Sequence, residues 1–257
     1  MNTLSLTRRA VLAALAAASL SAQTPRTDWR DYLGAPDSSH FSPLKQIGPA
    51  NAARLQVAWS YPAGEGGSYV YAPLVVDNVA FVLAKGGSIV ALDAATGKEI
   101  WTHTFGARTP APAPPAGQSQ AAQAPARAFG GGAGGARGLN YWESKDRSDR
   151  RILIAVSNQL QELDARTGKL IETFGDKGYV DLRVGLGRDP QTVRAVQSRT
   201  PGRVFENLIM LGSAPGESYV SPPGFLRAYN VLTGKLVWTF HTVPQPGEPG
   251  YDTWPKD

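Results

Sequence analysis

Three histidines, His40, His103 and His241, are the side chains most ready to move a proton or ligate a metal near neutral pH, and they are widely spaced. A zinc centre needs several such ligands close together, and the chain has no cysteine to complete one. The absence of cysteine also excludes a thiol nucleophile, a disulfide frame and a lipidated cysteine. No Ser-His-Asp set is evident. The glycine run from Gly130 to Gly135 lacks the strand and helix that a phosphate-binding loop requires. The histidines therefore read as structural or surface residues.

A different pattern recurs. Asp93-Ala94-Ala95-Thr96-Gly97-Lys98, Asp164-Ala165-Arg166-Thr167-Gly168-Lys169 and Asn230-Val231-Leu232-Thr233-Gly234-Lys235 are three copies of one motif. The Asp or Asn side chain can accept hydrogen bonds from the backbone two or three residues on, and glycine takes the positive φ that closes the turn. Lysine then opens the next strand. A tryptophan follows the glycine by four residues in the first and third copies (Trp101, Trp238) and offers a large apolar surface for packing one repeat on the next. Glu172 stands there in the second copy, so its outer contact must differ.

These turns need strands around them. Leu74-Val75-Val76 and Val79 to Leu83 flank Asp77-Asn78, a good two-residue hairpin turn. Gly86-Gly87 turns the chain into a strand from Ser88 to Leu92, and another follows Gly97. Four short antiparallel strands closed by a turn-and-tryptophan signature describe a propeller blade. Arg151 to Val156 with Gln159 to Leu163, and Val204 to Leu211 with Phe225 to Tyr229, repeat the arrangement. The expected fold is all-β, a β-propeller of about three four-stranded blades.

Composition limits the alternatives. The 257 residues carry 26 Lys and Arg against 21 Asp and Glu, a net charge of +5, but the basic residues are scattered. No basic block or stacking motif supports nucleic-acid binding. Beyond the N-terminal segment there is no apolar run of the roughly 18 residues that a membrane-spanning helix needs. Arg8 and Arg9 precede an apolar run from Ala10 to Leu20, then small residues, the order of a secretory signal peptide over residues 1–22. Thr7 to Leu12 also resembles a twin-arginine signal, so either general or twin-arginine export fits, and a periplasmic location is expected. Residues 107–136 contain 11 Ala, 6 Gly and 5 Pro and read as a disordered insertion in the propeller that occupies 23–257.

The segments around the repeat carry a resemblance. Trp29-Arg30-Asp31-Tyr32, His40-Phe41-Ser42-Pro43-Leu44, Leu55 to Trp59, Arg137 to Trp142, Phe174 to Leu182, and Trp238 to Pro244 with Tyr251 to Pro255 are similar to the pyrroloquinoline quinone (PQQ)-dependent dehydrogenases, quinoproteins of the glucose and alcohol dehydrogenase type. That resemblance implies an eight-bladed propeller with PQQ and Ca²⁺ near its axis, of which about three blades are present here as an incomplete ring. It implies that Arg137 faces the quinone's oxygens and carboxylates, a task suited to a planar, always-charged fork of donors. Thr200 and Ser213 are the implied hydroxyl contacts to the cofactor, and Glu217 the implied calcium ligand, calcium preferring hard oxygens. Against these stand blander readings: a surface arginine, and a solvated loop glutamate. Val70-Tyr71-Ala72-Pro73 occupies the place where many relatives carry a cofactor-contacting glutamate.

No catalytic residue is assigned, because the family's asparagine metal ligand and aspartate base are expected beyond Asp257. The implied activity is oxidation of an alcohol or sugar by hydride transfer to the quinone, with a quinone or cytochrome c as electron acceptor. The chain reads as an N-terminal fragment of such an enzyme, inactive alone. Peripheral membrane association is compatible with this reading. The alternative is a cofactor-free PQQ-like repeat propeller serving as a scaffold in outer-membrane assembly.

Overall fold

Asp77 and Asn78 adopt left-handed backbone conformations, φ 49° and 62°, and reverse the chain between β1 (Leu74–Val76) and β2 (Val79–Ala84). β3 (Ser88–Asp93) and β4 (Glu99–His103) complete an antiparallel sheet in the order β1-β2-β3-β4. The second sheet runs β5 (Asn140–Glu143), β6 (Arg150–Val156), β7 (Gln159–Asp164) and β8 (Tyr179–Asp181). The third comprises β9 (Arg203–Phe205), β10 (Leu208–Gly212), β11 (Leu226–Asn230) and β12 (Leu236–Phe240). These assignments come from a computed structural model that describes residues 28–64, 71–84, 86–105, 136–156, 158–193, 196, 200–213 and 221–255. The leader expected at 1–22 and nearly all of the expected insertion lie outside them. Ala136, the last residue of that insertion, is buried.

The run from Val204 to Leu211 is not one strand. Glu206, at φ 51°, breaks it into the hairpin of β9 and β10, with Phe205 opposite Leu208. Residues 55–60 join no sheet.

Each repeat folds as its residues dictate. Asp93 Oδ1 accepts hydrogen bonds from the Thr96 amide and hydroxyl, both at 2.8 Å, and from the Ala95 amide at 3.1 Å. Asp164 and Asn230 make the same three bonds. Gly97, Gly168 and Gly234 sit at φ 71°, 69° and 72°, where a side chain is strained.

Tryptophans cover the turn glycines of the first two sheets. The Trp59 indole N–H donates to the Ala94 carbonyl at 3.1 Å, and its ring lies against Gly97, where a Cβ would fall 2.6 Å from ring carbon. Trp101 repeats this on the second sheet, donating to Ala165 at 3.1 Å and covering Gly168, where a Cβ would fall at 2.4 Å. The second sheet departs as Glu172 requires. Its outer strand does not open after Lys169; only a bridge forms at Leu170, and β8 starts at Tyr179. Val180 on β8 and the Gly175 backbone then cover Gly234.

Apolar side chains fill both gaps. Phe81, Ile89, Trp101, Leu139, Tyr141 and Ile152 are among those between sheets one and two. Trp142, Leu153, Phe174, Leu211 and Tyr229 are among those between two and three. A buried ion pair joins the second gap: Arg151 donates to Glu162 at 2.7 Å and to the Val231 carbonyl at 3.1 Å. Burial pushes the Glu162 carboxyl up to about 8, against the pull of Arg151.

Gly168→Ala is expected to destabilise the protein by clearly more than Gly187→Ala. Gly187, at φ 68°, has open space around it and reports backbone strain alone, roughly 1–2 kcal/mol. Urea unfolding of both variants gives the difference that belongs to Trp101 docking. A second expectation concerns pH. Because the folded Glu162 pKa lies above its unfolded value, its contribution is fully present below about 4.5 and is lost as pH rises through about 8. Glu162→Gln should therefore flatten the stability profile across that window in thermal melts. Arg151→Met should cost about 1–3 kcal/mol for each of the carboxyl and carbonyl groups that it leaves unpaired.

Candidate functional site

The innermost strands β1, β5 and β9 all begin at one face of the blades, here the upper face. Tyr71, Arg137 and Thr200 each stand three residues before one of them, ahead of Leu74, Asn140 and Arg203. Inter-blade contacts bring these approaches together. The Ala72 amide donates to the Arg137 carbonyl at 2.8 Å, within a parallel bridge between Ala72 and Gly138. Tyr71 and Arg137 are therefore side by side. Asn140, itself buried, donates from Nδ2 to the Pro201 carbonyl at 2.5 Å. Ser213 follows β10, whose end lies beside the start of β9 through the antiparallel pair Arg203 with Met210, and so reaches the same face.

Three of the four sequence-derived site residues thus share one face of the axis. Arg137 is exposed at its rim, and Thr200 is exposed beside Pro201. Ser213 is half-buried, its hydroxyl donating to the Phe225 carbonyl at 3.2 Å. Glu217 lies outside the described residues. Among those residues, no three His, Cys, Asp or Glu side chains gather as a metal site. His103 Nδ1 lies 2.8 Å from the Gly168 carbonyl, and His241 pairs with Glu248 at 2.6 Å and packs edge-on against Phe225. Both act structurally.

Composition and motif gave no warning of two further features. The first is the Tyr71 hydroxyl, which is buried with no hydrogen-bond partner, so that its phenol is held well above the ordinary pKa. The second is an axial segment, Asp28 to Ser38. Trp29 exchanges backbone hydrogen bonds with Val75 at 2.8 and 2.9 Å along the free edge of β1. Arg30 pairs with Glu143 on β5 at 2.9 Å. Arg203 on β9 donates to the carbonyls of Tyr32 at 2.9 Å and Ala35 at 3.3 Å, and to the Ser38 hydroxyl. The segment touches the innermost strand of every sheet and runs from the lower face, where Asp28 meets the Asp77 amide, to the upper.

A cleft of about 220 Å³ opens at the lower face, lined by Asp77, Phe81, Trp101, Tyr141, Arg150 and Arg166 among others. Its charged groups are engaged: Asp77 with Arg147 and Arg150, Arg166 with the carbonyls of Arg147 and Ser148. It contains none of the candidate residues.

Stacked four-stranded blades, docked through turn glycines and presenting polar side chains at the axial end of their inner strands, define part of a β-propeller with an axial binding face. Residues 29–257 match the family described as glucose/ethanol/alcohol dehydrogenase, beta-propeller domain, and the chain belongs to that family of PQQ-type propellers. It is similar to the quinoprotein glucose dehydrogenase of Escherichia coli, 27% identical over 90% of this chain and 28% of the relative. The dehydrogenase subunit of the quinone alcohol dehydrogenase of Gluconobacter oxydans is 27% identical over 85% of this chain and 25% of the relative. The fold is shared with the crystal structure of quinohemoprotein alcohol dehydrogenase from Comamonas testosteroni, at 23% identity and a TM-score of 0.60, covering 89% of this chain and 29% of that one. The chain spans between a quarter and a third of the length of these relatives.

Among the described residues, the upper face carries an exposed guanidinium and two hydroxyls, groups whose chemistry suits a flat quinone bearing carboxylates; the unmatched Tyr71 hydroxyl lies inward, against the core between the first two sheets. Tyr71→Phe removes the unmatched hydroxyl and should raise the stability of the cofactor-free protein by roughly 1–3 kcal/mol. Urea denaturation of the two proteins checks this.

Proposed function

We propose that this chain forms the opening blades of an exported PQQ- and calcium-dependent dehydrogenase that oxidises an alcohol or sugar hydroxyl. The observation that carries the reading is the equivalent placement of Arg137 and Thr200, with Ser213 at the end of the neighbouring strand β10, at one axial face of a family propeller. Arg137 would hold a quinone carboxylate or carbonyl through charge-assisted hydrogen bonds. Thr200 and Ser213 would orient the ring, Ser213 by turning from the Phe225 carbonyl. Glu217 would give calcium one hard oxygen donor. Bound PQQ would supply the two-electron acceptor for hydride leaving the substrate carbon, and calcium a Lewis acid on the quinone carbonyl. Electrons would then pass to a membrane quinone or a cytochrome c, with the protein at or near the periplasmic membrane surface.

The test uses the full-length protein. Added PQQ and Ca²⁺ should confer dye-linked oxidation of alcohols or sugars, and chelation of Ca²⁺ should abolish it. Arg137→Met should weaken PQQ binding about 10- to 100-fold, the loss of charged hydrogen bonds worth roughly 1.5–3 kcal/mol. A protein that binds no PQQ and oxidises no alcohol or sugar would overturn the proposal.

A further inference from the structure

The axial segment places one aromatic ring against the supports of two proposed cofactor contacts. Gly138 follows Arg137, and its backbone does not need glycine's positive φ. What it needs is space: a Cβ there would lie 2.5 Å from Tyr32 Cδ2, and 3.4 Å from Pro201. Tyr32 and Gly138 are therefore a matched pair, ring against bare Cα. Tyr32 is also held by Arg203, whose guanidinium carbon lies 5.8 Å from the ring centroid while Nη1 binds the Tyr32 carbonyl at 2.9 Å. Arg203 opens β9, three residues after Thr200.

We propose that Tyr32 is a positioning residue for the quinone site. It acts through Gly138 on Arg137 and through Arg203 on Thr200, and so sets the separation of the two side chains from within the axis. This rests on the quinone reading above. An aromatic ring suits the role because it is rigid, with few rotamers, and can meet glycine closely along its Cδ2–Cε2 edge while a guanidinium packs over the ring. Its hydroxyl has no part in this, so phenylalanine should serve as well.

The experiment titrates PQQ, with Ca²⁺ present, into the cofactor-free full-length protein. Affinity and the visible absorption of the bound quinone are read at a temperature well below each variant's unfolding midpoint, so that only folded protein is measured. Tyr32→Ala and Gly138→Ala should each weaken PQQ binding at least tenfold and shift the absorption of the bound quinone. Tyr32→Phe should leave both unchanged. The double variant should bind no worse than Tyr32→Ala alone, because the added methyl then meets no ring. If the unmodified protein binds PQQ and both Tyr32→Ala and Gly138→Ala bind it with the same affinity and spectrum, Tyr32 is only a structural contact and the inference is wrong, whatever the melting temperatures. If Tyr32→Ala does not fold, Gly138→Ala decides alone. If the unmodified protein binds no PQQ, the quinone reading itself fails and takes this one with it.

Discussion

An indole resting on a glycine decides where the first and second blades stand. The glycine must have no side chain for two separate reasons, the left-handed turn that it closes and the ring that covers it. The indole N–H fixes the third coordinate by reaching a carbonyl three residues before that glycine. Trp101 makes this contact from the outer strand of the first sheet to the outer turn of the second, and so sets the angle between them from the rim. Their inner strands are then brought close enough for Ala72 to bridge Gly138. The axial face is a consequence of geometry imposed at the opposite edge.

The second blade shows what happens when that contact is lost. With Glu172 where a tryptophan would stand, the chain makes a detour through Phe174 and Gly175 before β8 forms, and a valine takes the glycine's face without an indole N–H to offer. The polar fastening moves inward. Trp142 on the innermost strand donates to the Glu206 carbonyl at 2.9 Å, and Arg151 spans the same gap to Val231. The buried charge of Arg151 is tolerable because its partners are numerous: a carboxylate on each side, a carbonyl ahead and the Trp142 ring at 5.5 Å.

Much of this was legible in the sequence. The Asp-x-x-Thr-Gly-Lys pattern specified turns whose side-chain hydrogen bonds are local, and alternating short apolar runs gave the strands. Local chemistry can be read locally. The β9–β10 hairpin was missed because Glu206-Asn207 is a weak turn signal within an apolar run. The delayed start of β8 was hidden for another reason: the motif announces a strand after Lys169, and only the tertiary fit of Val180 against Gly234 overrides it. Arg137, Thr200 and Ser213 came from family resemblance, whereas their common face came from register. Arg203 had no signal at all, and the resemblance that marked the segments holding Tyr32 and Tyr71 gave neither residue its role, since those roles depend on residues far away in the chain.

That distance governs the order of assembly. Arg203 meets the Tyr32 carbonyl across 171 positions of sequence, whereas the hairpins close over a few residues. Each blade can form as soon as its own four strands exist, a low-cost closure of short loops. The axial segment is made before any of the blades, yet its bond to β9 cannot form until the third blade has been synthesised. A growing chain therefore carries Tyr32 unclamped until β9 emerges, and the upper axial face takes its final shape only after the first two blades beside it have set.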